Sequence, residues 1–263
     1  MVLTLLLGAG VGLVMGLTGA GGSILAVPAL MFGLHLGLAQ AGPIALFAVG
    51  IAAAIGSLFA LHKEQVRYRA AILIAASGVV CAPVGIWLSH HLPTTVVAIL
   101  FALVLLWVGI NNILRARHKK SEIVRGNPIC KLDSVTGRFR WNTPCAAILC
   151  LAGAGAGILS ALLGVGGGFV IVPVLQRVAN LPMRTIVATS LSIVALISLT
   201  GVLTIIGSGR FSTSLALPFT AAVLIAMVFG GKLGDYLPAR HLRAAFGFLS
   251  LLIGGMLLWR TLI

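Results

Sequence analysis

The sequence predicts an all-α polytopic membrane protein made of two homologous repeats in inverted orientation. Of its 263 residues, 60% are hydrophobic and only 8% are charged, and the mean hydropathy is +1.16. Six runs free of charged residues approach or exceed the roughly 20 residues that cross a bilayer as a helix. A block of 23 residues also recurs 145 positions later in the chain.

The recurring block contains the most informative pattern. Gly8–Leu30 reads GAGVGLVMGLTGAGGSILAVPAL and Gly153–Leu175 reads GAGAGILSALLGVGGGFVIVPVL, with 11 of the 23 pairs identical. The same offset pairs Gly56 with Gly201. Duplication of the whole chain follows from this spacing.

The predicted organisation has three parts: a first transmembrane repeat at 1–114, a basic linker at 115–143 and a second transmembrane repeat at 144–263. Each repeat is predicted to contain a long, glycine-interrupted helical segment followed by three ordinary spanning helices. The glycine-interrupted segments are 1–33 and 144–178. The ordinary spans are 43–61, 70–89, 94–114, 185–206, 213–234 and 243–260.

Each glycine cluster predicts a break in its helix, because successive glycines adopt backbone angles closed to other residues and weaken a helix. A short second helix is expected from Ser23 toward Phe32 and another from Phe169. Exposed backbone at membrane depth is tolerated only where it lines a polar cavity or is covered by protein. The alternative is that the glycines only allow close helix packing. The residues assigned to the breaks or to gating are Gly19, Pro28, Gly164 and Pro173.

The start of a short helix offers unpaired N–H groups and the positive end of a helix dipole, which together favour an anion. Paired breaks in corresponding positions of two repeats indicate a transporter's binding site. Hydroxyl groups could complete the site, although Ser and Thr in membrane helices often bond their own helix carbonyls. The first repeat has Ile44 and Ala45 opposite the hydroxyl pair of the second. The candidate substrate-binding residues are Gly21, Gly22, Ser23, Gly166, Gly167, Gly168, Thr189 and Ser190.

Basic residues predict the orientation of the chain. The linker holds eight of the 18 Lys and Arg residues and should be cytoplasmic. If each glycine-rich segment crosses the membrane once, 13 basic residues lie inside and 5 outside. If each segment instead enters and returns, the count is 16 to 2 and the repeats are inverted. The positive-inside rule favours the second arrangement.

Several classes of function are disfavoured. The net charge of +14 comes from short loops between apolar runs, as in membrane proteins, so nucleic-acid binding is not indicated. No constellation for catalysis, a metal or a cofactor appears. The four acids lie at helix ends or in loops: Glu64, Glu122, Asp133 and Asp235. The four cysteines show no metal-binding spacing and indicate no disulfide: Cys81, Cys130, Cys145 and Cys150.

At the two motifs the chain resembles the TauE/SafE family of membrane transporters. The resemblance rests on GAGG with Pro28-x-Leu30, on GVGGG with Pro173-x-Leu175, and on Ala188-Thr189-Ser190. It implies a substrate such as sulfite, sulfoacetate or another organosulfonate, moved mostly outward across the bacterial inner membrane. With no carboxylate at mid-membrane, the membrane potential could drive anion export. A gated anion channel and an uptake permease for a sulfur compound remain alternatives, and the residues do not predict an oligomeric state.

Overall fold

A computed structural model describes residues 1–117, 130, 142–179, 181–207, 213–234 and 239–262. Apart from one isolated β-bridge, the regular structure of these residues is helical. The helices are α1 (Val2–Thr18), a 3-10 helix (Gly19–Leu25), α2 (Ala26–Gly33), α3 (Leu38–His62), α4 (Tyr68–His91), α5 (Thr94–Arg117), α6 (Thr143–Leu163), α7 (Gly168–Val178), α8 (Met183–Gly207), α9 (Thr213–Gly234) and α10 (Ala239–Leu262).

The predicted spanning helices are confirmed. Within the described ranges, eight segments are long and apolar enough to cross a membrane, counting Val2–Gly33 as one. The largest boundary difference is at α3, which begins at Leu38 although the predicted span began at Pro43. The chain is extended at Gly37 and the helix then continues through Pro43, because neighbouring groups in a membrane bundle can satisfy the carbonyl that proline leaves unbonded.

The first glycine-rich segment forms a helical hairpin. The 3-10 helix turns the chain back on α1, so that a Cβ built on Gly22 would lie 2.8 Å from the Cα of Met15. Farther along, α2 runs back beside α1 and Gly33 contacts the side chain of Leu7. The end of α2 therefore returns most of the way toward the start of α1.

The second segment forms a matching hairpin with a sharper turn. α6 ends at Gly164 in the left-handed region (φ 70°), and Gly166 (φ 75°) and Gly167 (φ 67°) are also left-handed. Only glycine adopts this region routinely, so the turn depends on these three residues. A Cβ on Gly167 would lie 2.6 Å from the carbonyl oxygen of Ala156, which places the start of α7 against the body of α6.

A disulfide fixes the base of this second hairpin, contrary to the sequence prediction for the cysteines. Cys130 in the linker is bonded to Cys145 near the start of α6, with a Cα–Cα distance of 5.2 Å. The Cys130 amide also donates to the Val178 carbonyl at the end of α7 (3.1 Å). Cysteine spacing could not predict this pair, because the fold brings Cys130 to the hairpin. Cys81 and Cys150 are free thiols, as expected.

The two repeats pack against each other in a symmetric way, in which each long helix contacts a helix of the other repeat. α1 packs along α9, and α4 packs along α6, while α3 pairs with α8 and α5 pairs with α10. Glycines make these contacts close: a Cβ on Gly12 would overlap the Val223 carbonyl, and one on Gly157 would overlap Gly78. Both residues of the second contact lie 145 positions from their counterparts in the first. The small-residue packing considered as an alternative role for the glycines therefore exists at these positions, and it also occurs at the breaks, where a Cβ on Gly164 would lie 2.5 Å from the Cα of Gly42.

Candidate functional site

A cavity of 680 Å³ opens among the ends of several helices. Its wall is formed by the last turns of α1, α3, α5 and α9, by the first turns of α8 and α10, and by α7. Gly21 lies in the wall, and a Cβ built on it would meet no atom within 4 Å. Phe169 in the first turn of α7 also lines the cavity. The cavity therefore reaches from the helix ends to both glycine-rich hairpins.

Among the described residues, the charged side chains of the cavity wall are all cationic. No Asp or Glu of the described ranges lines it, although Gln65, Gln176, Asn111 and Asn112 add amide groups. The five cations come from both repeats and are Lys63, Arg115, Arg184, Lys232 and Arg243. A cleft lined by charges of one sign focuses the electric field and raises the local concentration of the opposite ion. The cavity is therefore built to attract anions.

The predicted residues of the first hairpin divide between the cavity and the core. Gly21 lines the cavity, whereas Gly22 is buried against α1. Ser23 is buried and its hydroxyl donates to the Ala20 carbonyl at 2.7 Å. Gly19 is left-handed (φ 74°) and packs against Val187. The expected helix start at Ser23 was wrong by three residues, since the 3-10 turn runs through Leu25 before α2 begins.

The predicted residues of the second hairpin lie between the repeats. Gly168 begins α7, and a Cβ on it would lie 2.6 Å from the Ala20 carbonyl oxygen, so the two breaks meet there. Gly166 is enclosed by Val49, Val194 and Ser198. The first amides of a helix have no preceding helical carbonyl, which gives the start of α7 donor capacity near the cavity. The two prolines lie within their short helices, Pro28 buried in α2 and Pro173 in α7 against the cavity.

The predicted hydroxyl pair is satisfied locally. Thr189 donates to the Thr185 carbonyl at 2.7 Å and accepts from the Arg67 amide at 3.2 Å. Ser190 donates to the Val187 carbonyl at 2.8 Å. Both side chains are fully buried and neither lies in the cavity wall. Their hydrogen bonds therefore hold the start of α8 and the turn before α4.

One hydroxyl that the sequence analysis passed over stands apart. Ser198 is fully buried in α8, and among the described residues its hydroxyl has no hydrogen-bond partner. Its oxygen would lie 3.4 Å from a Cβ on Gly166. Ser192, six residues earlier in α8, bonds Ser57 across the α3–α8 contact at 2.6 Å. A serine in an apolar helix carries no sequence signal that distinguishes these two situations.

Within the described residues, no group of three or more His, Cys, Asp or Glu side chains is placed to hold a metal ion. The fold and this site define a class: a multi-pass helical membrane transporter with a basic cavity beside two helix breaks. The chain belongs to the TauE/SafE family, because the family profile described as sulfite exporter TauE/SafE matches residues 4–257. The resemblance drawn from the two glycine motifs is thereby confirmed.

Individual relatives agree with this class. The chain is 26% identical to a probable membrane transporter protein of Xylella fastidiosa, covering 95% of this chain and 92% of the relative. It is 27% identical to one of Methanocaldococcus jannaschii, covering 99% and 95%. A third, from Bacillus subtilis, is 25% identical over 89% and 86%. No solved structure matches the chain significantly.

Proposed function

We propose that the protein is a secondary transporter that moves a small sulfur-containing anion, such as sulfite, sulfoacetate or another organosulfonate, outward across the bacterial inner membrane. The single observation that carries the proposal is the cavity, whose described wall residues include five cations and no acid and which reaches Gly21 and α7. The name of the family supplies the substrate class.

The substrate would bind where the two hairpins meet. Gly21 leaves its side of the cavity open, and the amides of Gly166 and Gly167 precede that of Gly168, the first residue of α7. Backbone donors and a helix dipole suit an oxyanion because they supply positive potential without a buried cationic side chain. Ser198 would add a hydroxyl donor once the chain around Gly166 opens. In this assignment Gly22 and Ser23 shape the first turn.

A carrier is favoured over a gated channel because only one of the two glycine breaks is open to the cavity and the other is covered by packed side chains. Gly166 corresponds to Gly21 by the repeat offset, but Val49, Val194 and Ser198 pack against it. One break is therefore open to the cavity while its counterpart is covered. Exchange of these two environments between the repeats would give alternating access to one central site.

The cavity also supports inverted repeats and a cytoplasmic linker. Arg184, Lys232 and Arg243 line the same cavity as Lys63 and Arg115. The arrangement with 16 basic residues inside places all five on one side, whereas the single-crossing arrangement separates them. The two glycine-rich segments also support the inverted arrangement, because each forms a hairpin whose second helix runs back toward the start of the first. We therefore assign the cavity to the cytoplasmic face.

The membrane potential is the proposed driving force. Moving one negative charge out of a cell whose interior is negative gains about 2.3 kcal/mol per 100 mV. The four carboxylates of the sequence lie outside the predicted spans, so the usual intramembrane proton or sodium relay is missing.

The test is a flux assay in proteoliposomes with sulfite, sulfoacetate, thiosulfate and taurine, each with the potential imposed and then collapsed. We expect saturable flux of at least one anion that falls when the potential is removed. Flux that does not saturate and shows no counterflow would identify a channel. Flux unchanged without the potential would require a coupled ion instead.

A further inference from the structure

A network of side chains crosses the mouth of the cavity, where the end of α5 meets α7, α8 and α10. Arg115 donates from a guanidinium nitrogen to the Gln176 side-chain oxygen. The Gln176 amide nitrogen lies 3.2 Å from the Met183 sulfur, and an Arg243 nitrogen lies 3.8 Å from the same sulfur. These four side chains therefore join one repeat to the other at the opening of the cavity.

Positive charge accumulates at this network. Arg177 follows Gln176 in α7, where it is exposed and outside the cavity wall, and the charges of Arg177 and Arg243 both act on Arg115. Within the described ranges the one acidic residue is Glu64, which is exposed in the turn after α3 and absent from the cavity wall. Arg115 and Arg243 thus meet at the network without a carboxylate from the described residues, and Arg177 adds positive charge nearby.

The donors of these arginines exceed the acceptors that the network supplies. A guanidinium carries five N–H donors in a planar fork. Arg115 donates to the Gln176 oxygen, and Arg243 contacts the thioether sulfur of Met183, which is a weak acceptor. An oxyanion would present several acceptor oxygens and opposite charge, in a geometry that arginine forks match.

We propose that Arg115 and Arg243 form an oxyanion-binding site at the cavity mouth, with Gln176 as the positioning residue and Arg177 adding positive charge nearby. Naming the transported anion as its occupant rests on the proposed function, whereas binding at the arginines does not. Gln176 and Arg177 lie on α7, whose first residue is in the glycine break. An anion held here is therefore on the path to the break. A phospholipid headgroup has the same chemistry and is the other source of such an anion.

Thermal unfolding of the purified full-length protein in detergent tests the site, with sodium sulfate as the probe and sodium chloride at equal ionic strength as the blank. Sulfate should raise the Tm of the wild type and of the control Arg260→Gln, which removes an exposed arginine at the other end of α10. The double variant Arg115→Gln/Arg243→Gln should lose the shift. An equal shift in the double variant would overturn the site.

A second variant keeps the proposal testable if the double variant does not fold. Gln176→Glu places a carboxylate beside Arg115, so it should raise the Tm without sulfate and abolish the sulfate shift. A full sulfate shift in this variant would contradict the site. In a parallel arm, dioleoylphosphatidylglycerol replaces sulfate; stabilisation by the lipid alone would assign the cluster to a headgroup and overturn a soluble occupant.

Sulfite flux separates this proposal from the proposed function. If both hold, the double variant should raise the KM for sulfite on the cavity side about tenfold, with the maximal rate within about twofold, because the site acts before the translocation step. Absence of sulfur-anion flux in the wild type, with the sulfate Tm shift present, would reject the proposed function and leave the binding site standing.

Discussion

Gly168 and Ala20 lie in direct contact: a methyl group built on Gly168 would approach the carbonyl oxygen of Ala20 to 2.6 Å. Gly168 begins α7 and Ala20 lies in the 3-10 turn, so this contact joins the two glycine breaks. Because a backbone oxygen is the obstacle, a side chain at position 168 would force the hairpins apart. The contact therefore fixes the distance between the two halves of the proposed binding site.

Gly168→Ala should lower the Tm and reduce anion flux. Overpacking a close contact costs about 1–3 kcal/mol, and here the strain falls on the proposed site. Unfolding in detergent and flux in proteoliposomes measure the two effects. Gly155→Ala is the matched control, since a Cβ there meets nothing within 4 Å. If Gly168→Ala had the same Tm and the same anion flux as Gly155→Ala, the contact would be needed neither for stability nor for transport.

Ser198→Ala and Ser192→Ala should act oppositely on stability. Removing the unpartnered hydroxyl of Ser198 relieves a desolvation cost of about 1–3 kcal/mol, whereas Ser192→Ala breaks the bond to Ser57. We expect a raised or unchanged Tm for Ser198→Ala and a lowered Tm for Ser192→Ala. If Ser198 contacts the anion, its variant should also slow flux. A destabilised Ser198→Ala protein with normal flux would remove Ser198 from the site.

Reduction of the Cys130–Cys145 disulfide should destabilise the second hairpin. The bond closes a loop with a sequence separation of 15, for which loop-closure entropy predicts about 3 kcal/mol. Dithiothreitol should therefore lower the Tm of the wild type and leave Cys145→Ser unaffected. Cytosolic thiols are kept reduced, so in the cytoplasmic linker that we propose this disulfide would form only under oxidising conditions. An identical Tm with and without reductant would show that the bond does not stabilise the fold.

The inverted arrangement predicts the sides of two loops. In a variant whose native cysteines are replaced by serine, Asn180→Cys should be protected from a membrane-impermeant maleimide added from the periplasm, and Ser208→Cys should react. In the sequence, position 180 precedes and position 208 follows α8, which begins at Met183 and ends at Gly207. Reaction at 180 with protection at 208 would support the single-crossing arrangement.

Much of this fold can be predicted from the sequence, because a chain that crosses lipid must satisfy its own backbone hydrogen bonds. Uncharged runs of sufficient length must be helices, so the spans could be located to within a few residues. The glycine clusters marked both turns, since three left-handed residues at 164, 166 and 167 leave little choice but glycine. The constant offset also indicated which helices of the two repeats correspond. In the fold, α1 packs on α9, and their counterparts α6 and α4 pack on each other.

The details of the site were less legible. Thr189 and Ser198 look alike in the sequence, but the Thr189 hydroxyl bonds its own helix and the Ser198 hydroxyl has no partner among the described residues, a difference that depends on rotamers and neighbours. The sequence also did not predict the arginine network, because Arg115 and Arg243 lie at the ends of helices that only tertiary packing brings together. The disulfide of Cys130 escaped prediction for the same reason.

The most direct test of the central claim is counterflow of labelled sulfite in proteoliposomes containing the wild type, Gly21→Ala or Gly21→Leu. Gly21 faces the open cavity, so alanine should fit, whereas leucine should fill the space beside the breaks. We predict saturable, trans-stimulated flux in the wild type and Gly21→Ala, and loss of flux in Gly21→Leu with an unchanged Tm. Full flux through a folded Gly21→Leu protein would contradict the claim that the anion passes through this cavity.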